Sequence, residues 1–393
     1  MTPPRTAVCL TLALVMSAPP AGAQSRVPRQ WLFGAGGVAL GLGVTAVYSS
    51  GHFNRSLGWC SSAKCVGIFS TTTFGLVGYL IGHEIDGKHR RRYRLAPPLE
   101  FPSRTRMLRF RASGLELDRN LVAVVGDDGI ELVSAEPRLQ YQGQRARGLR
   151  DIADVGLRTE AASLLVGTGT GLYLYSITGQ AEGVRALGGE VQAVATRGAR
   201  VAVAAGGVLR VGTVTGDSVA WRTDTSALAG RASDLRWEND TLLWLLTESE
   251  LTGYAMPADS APVRLGSVEL RGPARRIAVS MGMIAVAAGA EGVYLVRTAD
   301  PAAPRVAAHW AEPRYIYDVA LWTEDGGIRI FAGAGPEGMY VLEPDGPRLK
   351  ATGLVTGVGF VAALAAGPDA LYVLDRSGGV LRRIDPRAST PGN

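Results

Sequence analysis

Histidine and cysteine are nearly missing from this chain of 393 residues, which holds four of the first and three of the second. All three cysteines fall at or before Cys65, and from residue 95 to the end the only histidine is His309. A nucleophile with its base, or a zinc site built from thiolates and imidazoles, therefore lacks parts over most of the sequence. A strong excess of one charge is lacking too. The formal charge of +6 is modest for this length, and much of it lies between Lys88 and Arg111. Reading nucleic acid would call for a basic surface within the folded domain, so nucleic acid is not an expected partner. Two glycine motifs lead nowhere. Gly167-Thr168-Gly169-Thr170-Gly171 has no following lysine and helix, as a phosphate loop requires, and Gly126-Asp127-Asp128-Gly129 offers too few oxygens for calcium. No metal, no cofactor and no catalytic residue is expected.

What is present begins with an export signal. Arg5 precedes an apolar run from Ala7 to Met16, followed by Ser17, Pro19, Pro20 and the small triplet Ala21-Gly22-Ala23. That order predicts a secretory signal over residues 1–23, cut after Ala23. Cys9 lies inside the apolar run and leaves with it. Cys60 and Cys65 remain, and an isolated pair in an oxidising compartment predicts a small disulfide loop.

Residues 24–94 read as a hydrophobic helical hairpin around that loop. Two uncharged apolar segments, Trp31–Tyr48 and Val66–Gly82, are 18 and 17 residues long, at the short end of what spans a bilayer. Gly37 and Gly41 in the first, and Gly78 and Gly82 in the second, have the small-xxx-small spacing that lets helices pack closely. The cationic exit includes Arg90, Arg91 and Arg92 and suits anionic headgroups. Full spanning would put the cysteine loop in the reducing cytoplasm and the basic run outside, against the positive-inside tendency. Partial insertion from outside, or packing on an envelope protein, removes that conflict, and both arrangements stay open. His83 and His89 are six apart, whereas a helical zinc pair needs a spacing of four, so they read as solvated interfacial residues.

From residue 95 to 393 the composition changes to short β-rich runs broken by Gly, Pro and Asp, and a period appears. One marker opens a short apolar strand after a turn: Gly129, Gly171, Gly207, Glu250, Gly292, Gly338 and Gly379, at intervals of 42, 36, 43, 42, 46 and 41. A period near 40 to 45 with several strands per unit is the mark of a propeller blade. The fifth unit shows four strands, Arg276–Ser280, Met283–Ala288, Val293–Arg297 and Arg305–Trp310. One such sheet cannot bury both faces alone, so neighbours must stack around an axis. The predicted fold is all-β, a seven-bladed β-propeller behind the short α-helical hairpin. The last unit ends without a fourth strand after Val380–Ile384, and Leu99–Arg104 is expected to supply it and latch the ring.

At these repeats the sequence resembles the LVIVD-repeat propellers of bacterial exported and surface proteins. The resemblance rests on Ile277-Ala278-Val279, Gly292-Val293-Tyr294-Leu295-Val296 and Asp300-Pro301-Ala302-Ala303-Pro304 in the fifth unit. In the sixth it rests on Tyr317-Asp318-Val319-Ala320 and Gly338-Met339-Tyr340-Val341-Leu342. Units three, four and seven lack the Asp-Pro-x-x-Pro turn, and the match begins near residue 105. It implies binding or surface display.

Matching units by strand position places Asp154, Gln192, Asp234, Arg276 and Asp318 at equivalent places on one rim of the channel, with Arg150 and Tyr315 close by. Such a ring of acids and bases can hold a polar ligand; it can equally pair neighbouring blades or cap strand ends. The expected function is a non-enzymatic binding or scaffold protein, periplasmic or cell-envelope and membrane-associated. Its hairpin meets membrane lipid or an envelope protein, and its rim meets a ligand or protein. The alternative is a propeller hydrolase or lyase acting on an extracellular sugar or lactone through rim carboxylates.

Overall fold

Near-continuous apolar runs such as Leu121–Gly126, Ser163–Thr168 and Leu242–Thr247 are too short for buried helices and bounded by turn residues, which favours strands buried on both faces. A computed structural model bears this out for the residues it describes, 96–393 apart from 136–137, 179–181, 259, 313, 325–326, 389 and 392–393. Each of the three runs is a strand buried at every position. The signal, Gly37, Gly41, Gly78, Gly82, the Cys60 and Cys65 loop, and Arg90, Arg91 and Arg92 all lie outside the described residues.

The chain folds as a succession of antiparallel meanders. Ala112–Asp118, Leu121–Gly126, Gly129–Ser134 and Gln140–Arg145 make the first, and Ile152–Arg158, Ser163–Thr168, Gly171–Ser176 and Val184–Gly188 the second. Val191–Arg197, Arg200–Ala205, Val208–Thr215 and Ser218–Trp221 follow, with the short Ser226–Ala227 added beside Val208–Thr215. The fourth is Ala232–Asn239, Leu242–Thr247, Glu250–Ala255 and Val263–Glu269. Next come Arg276–Ser280, Met283–Ala287, Val293–Arg297 and Arg305–Trp310, then Asp318–Glu324, Gly327–Gly333, Met339–Asp345 and Arg348–Val355. A parallel bridge between His309 and Arg348 joins these two into one larger sheet. The last meander, Val361–Ala366, Leu371–Asp375 and Val380–Ile384, takes its fourth strand from the start of the domain, Ser103–Met107.

The first strands of these meanders, from Ala112–Asp118 round to Val361–Ala366, touch one another in cyclic order, the last meeting the first. Apolar cores lie between neighbouring sheets. One joins Ala123, Ile130 and Leu132 to Leu157, Leu164 and Val166, and another joins Val122 and Val124 to Leu374 and Leu381 across the closure. At about 1.5 to 3 kcal/mol for each large aliphatic side chain buried, no sheet retains its core without a neighbour.

The closure differs in detail from the expected latch. Ser103 pairs with Ile384 and Met107 with Val380, while Leu99 lies beside Val355 in parallel and opposite Pro391. The segment thus stitches two sheets, Pro98–Glu100 on one and Ser103–Met107 on the next. Leu99 fills the space above Gly353, where an added Cβ would lie 1.8 Å from the Leu99 Cδ1. A residue without a side chain is required there.

Candidate functional site

Five of the first strands begin with a register shift, at Ala112/Gly114, Ile152/Asp154, Val191/Ala193, Ala232/Asp234 and Val361/Ala363. An extra residue at a bulge re-aims the side chain beside it. Asp154 and Asp234 follow such shifts, and both turn toward the next sheet. Asp154 Oδ2 accepts from the Val194 amide at 2.9 Å, and Asp234 Oδ2 from the Ile277 amide at 2.9 Å. Asp318, at the head of its strand, accepts from Leu364 at 2.8 Å. Gln192 Oε1 does the same with the Ala232 amide at 3.0 Å. Four rim residues therefore staple one first strand to the next through the backbone.

The remaining capacity of these groups faces the channel. Arg276 Nη1 lies 3.3 Å from Asp154 and 3.6 Å from Asp234, and Arg236 Nε lies 3.5 Å from Asp234. Arg236 Nη1 also donates to both oxygens of Glu116, at 2.8 and 2.7 Å. Glu116 and Arg236 sit on strands 120 residues apart, so this bond crosses the channel. Three carboxylates, Glu116, Asp154 and Asp234, thus pair with two guanidiniums. Burial pushes the Glu116 carboxyl up to about 7 against the pull of Arg236, and the Asp318 carboxyl up to about 6 against the pull of Arg276 and two amides. Burial likewise raises Asp234 against Arg236 and Arg276. Burial works against the charge of Arg236, but Asp234, Glu116 and Asp154 outweigh it and hold this arginine above its ordinary pKa.

Glu116, Arg236, Arg276, Tyr317, Asp318 and Thr323 are among the residues lining a cavity of about 380 Å³ in the channel. Tyr317, which lines it, is the middle ring of a ladder of three half-buried aromatics. Tyr315 and Tyr317 have centroids 4.8 Å apart, and Tyr317 and Phe360 4.9 Å apart. The exposed Arg275 guanidinium lies 5.4 Å over the Tyr315 ring. Gly289 leaves room for Tyr315 and Gly335 for Tyr317, whose ring would lie 2.6 Å from a Cβ there.

Asp154, Asp234, Arg276 and Asp318 therefore come together. Gln192 is engaged with Ala232 at the sheet junction, Tyr315 stands in the aromatic ladder, and Arg150 is exposed in the segment before Ile152–Arg158. Glu116, Arg236, Tyr317 and Phe360 were not anticipated. Arg236 was within reach, because residues two apart on a strand share a face and Asp234 had been placed in the channel. Among the described residues no group of acids and histidines has the geometry to hold a metal ion.

No family model matches the chain, and no curated protein matches it in sequence. Solved structures do match in shape. The WD40 β-propeller domain of Doa1 superposes with a TM-score of 0.56 at 13% identity, covering 73% of this chain and 97% of that one. The fold is a β-propeller. A chain of the mitotic checkpoint complex gives a TM-score of 0.56 at 12% identity, over 75% of this propeller chain and 96% of that chain. The β-propeller domain of Cps50 (Swd1) from Myceliophteria thermophila gives 0.57 at 12%, over 72% and 99%.

Proposed function

We propose that this chain is a non-enzymatic binding or scaffold protein that presents a seven-bladed propeller of the LVIVD-repeat kind outside the cytoplasm. In this reading residues 1–23 direct export. Residues 24–94, with a Cys60–Cys65 disulfide and the cationic Arg90, Arg91 and Arg92, attach the protein to lipid or to an envelope partner. Gly37, Gly41, Gly78 and Gly82 pack the hairpin. The cyclic order of the first strands supports the blade count.

The observation that carries a binding role is the contrast at the rim. Asp154, Gln192, Asp234 and Asp318 are engaged with backbone amides, whereas Tyr315, Tyr317 and Phe360 remain half-buried beside an exposed Arg275. Aromatic side chains with little conformational entropy to lose are favourable contact residues. Glu116, with its carboxyl near 7, favours a second reading, carboxylate acid–base chemistry on a sugar or lactone.

Site-specific photocrosslinking in the cells that make the protein tests the first reading. A crosslinker in place of Tyr315 is expected to capture a discrete envelope partner, and one in place of the exposed Val263 on an outer strand is not. Identical products from both positions, or none from Tyr315, overturn it. Turnover of a sugar or lactone that disappears in Glu116→Gln would establish the second reading.

A further inference from the structure

The strand that closes the ring stands out in its charge. Residues 103–111 include Arg104, Arg106, Arg109 and Arg111 and no acid, and Val380–Ile384, paired with Ser103–Met107, adds Arg382 and Arg383 and again no acid. Arg104, Arg109 and Arg111 are exposed. Arg104 stands directly opposite Arg383 in the register, a like-charge pair that costs stability by itself and is relieved by an anion above it. Arg383 Nε is buried and has no hydrogen-bond partner among the described residues. The Arg106 and Arg109 guanidiniums lie 5.5 and 4.0 Å from the centre of the Tyr141 ring on the neighbouring sheet. From that sheet Glu131 accepts from Arg106 Nε at 3.2 Å and from the Arg109 amide at 3.3 Å, and it is fully buried.

We propose that this edge, Ser103–Met107 and Val380–Ile384 with the connection 108–111, docks on the anionic headgroups of a lipid bilayer. This rests on the reading of the chain as membrane-attached through residues 24–94 and adds a contact made by the propeller itself.

Charge selects an anionic partner, and shape selects an extended one. Ser103–Met107 stretches about 13 Å as an open edge strand, and the connection 108–111 continues its row of arginines. Such a row meets several phosphates of a surface at once, whereas one small anion is held by donors that converge on a point. Two observations favour lipid over an acidic polypeptide. Met107, at the end of the same strand, is 68% exposed, an apolar side chain able to enter the headgroup layer. The row also follows Lys88, Arg90, Arg91, Arg92 and Arg94 in the chain, with Glu100 the one acid between Arg94 and Arg104. Basic clusters that follow apolar segments are attracted to anionic leaflets.

The full chain, reconstituted in phosphatidylcholine vesicles and in vesicles that also contain phosphatidylglycerol, tests this. A fluorescent amino acid in place of the exposed Gln142, next to Tyr141, reports docking by energy transfer to headgroup-labelled lipid, and one in place of the exposed Val263 is the control. The neutral vesicles account for the proximity that attachment alone provides. Transfer at Gln142 is expected to rise in the anionic vesicles, without a matching rise at Val263, and to fall as salt screens the charges. Arg109→Gln and Arg383→Gln, with folding checked by circular dichroism, should each weaken docking about fivefold, the equivalent of about 1 kcal/mol per arginine at an anionic surface. Arg109→Lys keeps the charge and should dock as the parent does. Equal transfer in neutral and anionic vesicles, an equal rise at Val263, or folded glutamine variants that dock normally would overturn the assignment. So would saturable binding of a polyglutamate peptide at Gln142 with no rise on anionic vesicles, which gives the edge to an acidic polypeptide. A chain that floats with the vesicles but shows no rise at Gln142 rejects this surface alone; one that floats with neither kind rejects membrane attachment as well.

Discussion

Replacing Glu116 by glutamine removes a titrating group from the channel while keeping its shape. In the folded chain this carboxyl is pushed up to about 7 from an ordinary 4.5, first by burial and then by Asp154 and Asp234, with Arg236 opposing. Below pH 4.5 the residue is protonated whether the chain is folded or not. Between pH 4.5 and 7 the folded state keeps a proton that the unfolded state releases, so stability falls as pH rises, by at most about 1.4 kcal/mol per unit. Above pH 7 the loss levels off. A shift of 2.5 units corresponds to a total of about 3 kcal/mol, at 1.36 kcal/mol per unit. Glutamine cannot follow this titration. Relative to the parent protein, Glu116→Gln should therefore become more stable by about 3 kcal/mol between pH 4.5 and 8. Asp318, raised to about 6, acts with the same sign at lower pH, but it is present in both proteins and largely cancels. Urea unfolding at several pH values, read by the fluorescence of Trp237, Trp244, Trp310 and Trp322, measures the difference. Parent and variant profiles that stay parallel from pH 4.5 to 8 would refute the claim that Glu116 is under-compensated in the channel.

Gly353→Ala should displace Leu99 from its seat, lower stability by about 1 to 3 kcal/mol as overpacking does, and speed proteolysis within residues 96–102; adding Leu99→Ala should recover part of the loss. Asp234→Asn places an NH2 group against either the Leu235 or the Ile277 amide and should cost about 2 to 3 kcal/mol in chemical denaturation, whereas the exposed Asp151→Asn should change stability by less than about 0.5 kcal/mol.

The blades were legible where burial writes a pattern into the sequence. In the fifth unit Arg276–Ser280, Val293–Arg297 and Arg305–Trp310 are strands with the expected bounds, and Met283–Ala287 is one residue shorter than expected. The closing strand was harder to locate because Ser103–Met107 is an outer strand, mostly exposed, with the sequence SRTRM and no apolar alternation. Its register is set by Val380–Ile384 and not by its own residues. Leu99 and Phe101, within the segment expected as the latch, pack instead in the core beside Phe331 and Val341. At the rim, strand alignment brought Asp154, Asp234, Arg276 and Asp318 to the same place. The ladder was not legible, because Tyr315, Tyr317 and Phe360 belong to connections between sheets, whose conformation no periodicity describes. Glu116 was missed because its partner Arg236 is 120 residues away.

The staple explains how such dissimilar units share one ring. Asp154, Asp234 and Asp318 reach amides 40, 43 and 46 residues ahead, and Gln192 one 40 ahead. A main-chain amide is supplied by every residue except proline, so the bond constrains the spacing between blades and leaves the neighbour's side chain free to vary. Hydrogen bonds from buried amides to a carboxylate are also among the stronger ones available, and removing the acceptor leaves the amide unsatisfied. Residues in the staple are consequently poor candidates for exchange with a ligand, since a ligand that drew Asp154 or Asp234 away would loosen the ring. Asp318 meets the same demand with its amide bonds in place and has no ion-pair partner among the described residues. The side of the ring where the aromatic ladder crosses from the fifth unit to the seventh is thus where this propeller departs from its own repeat.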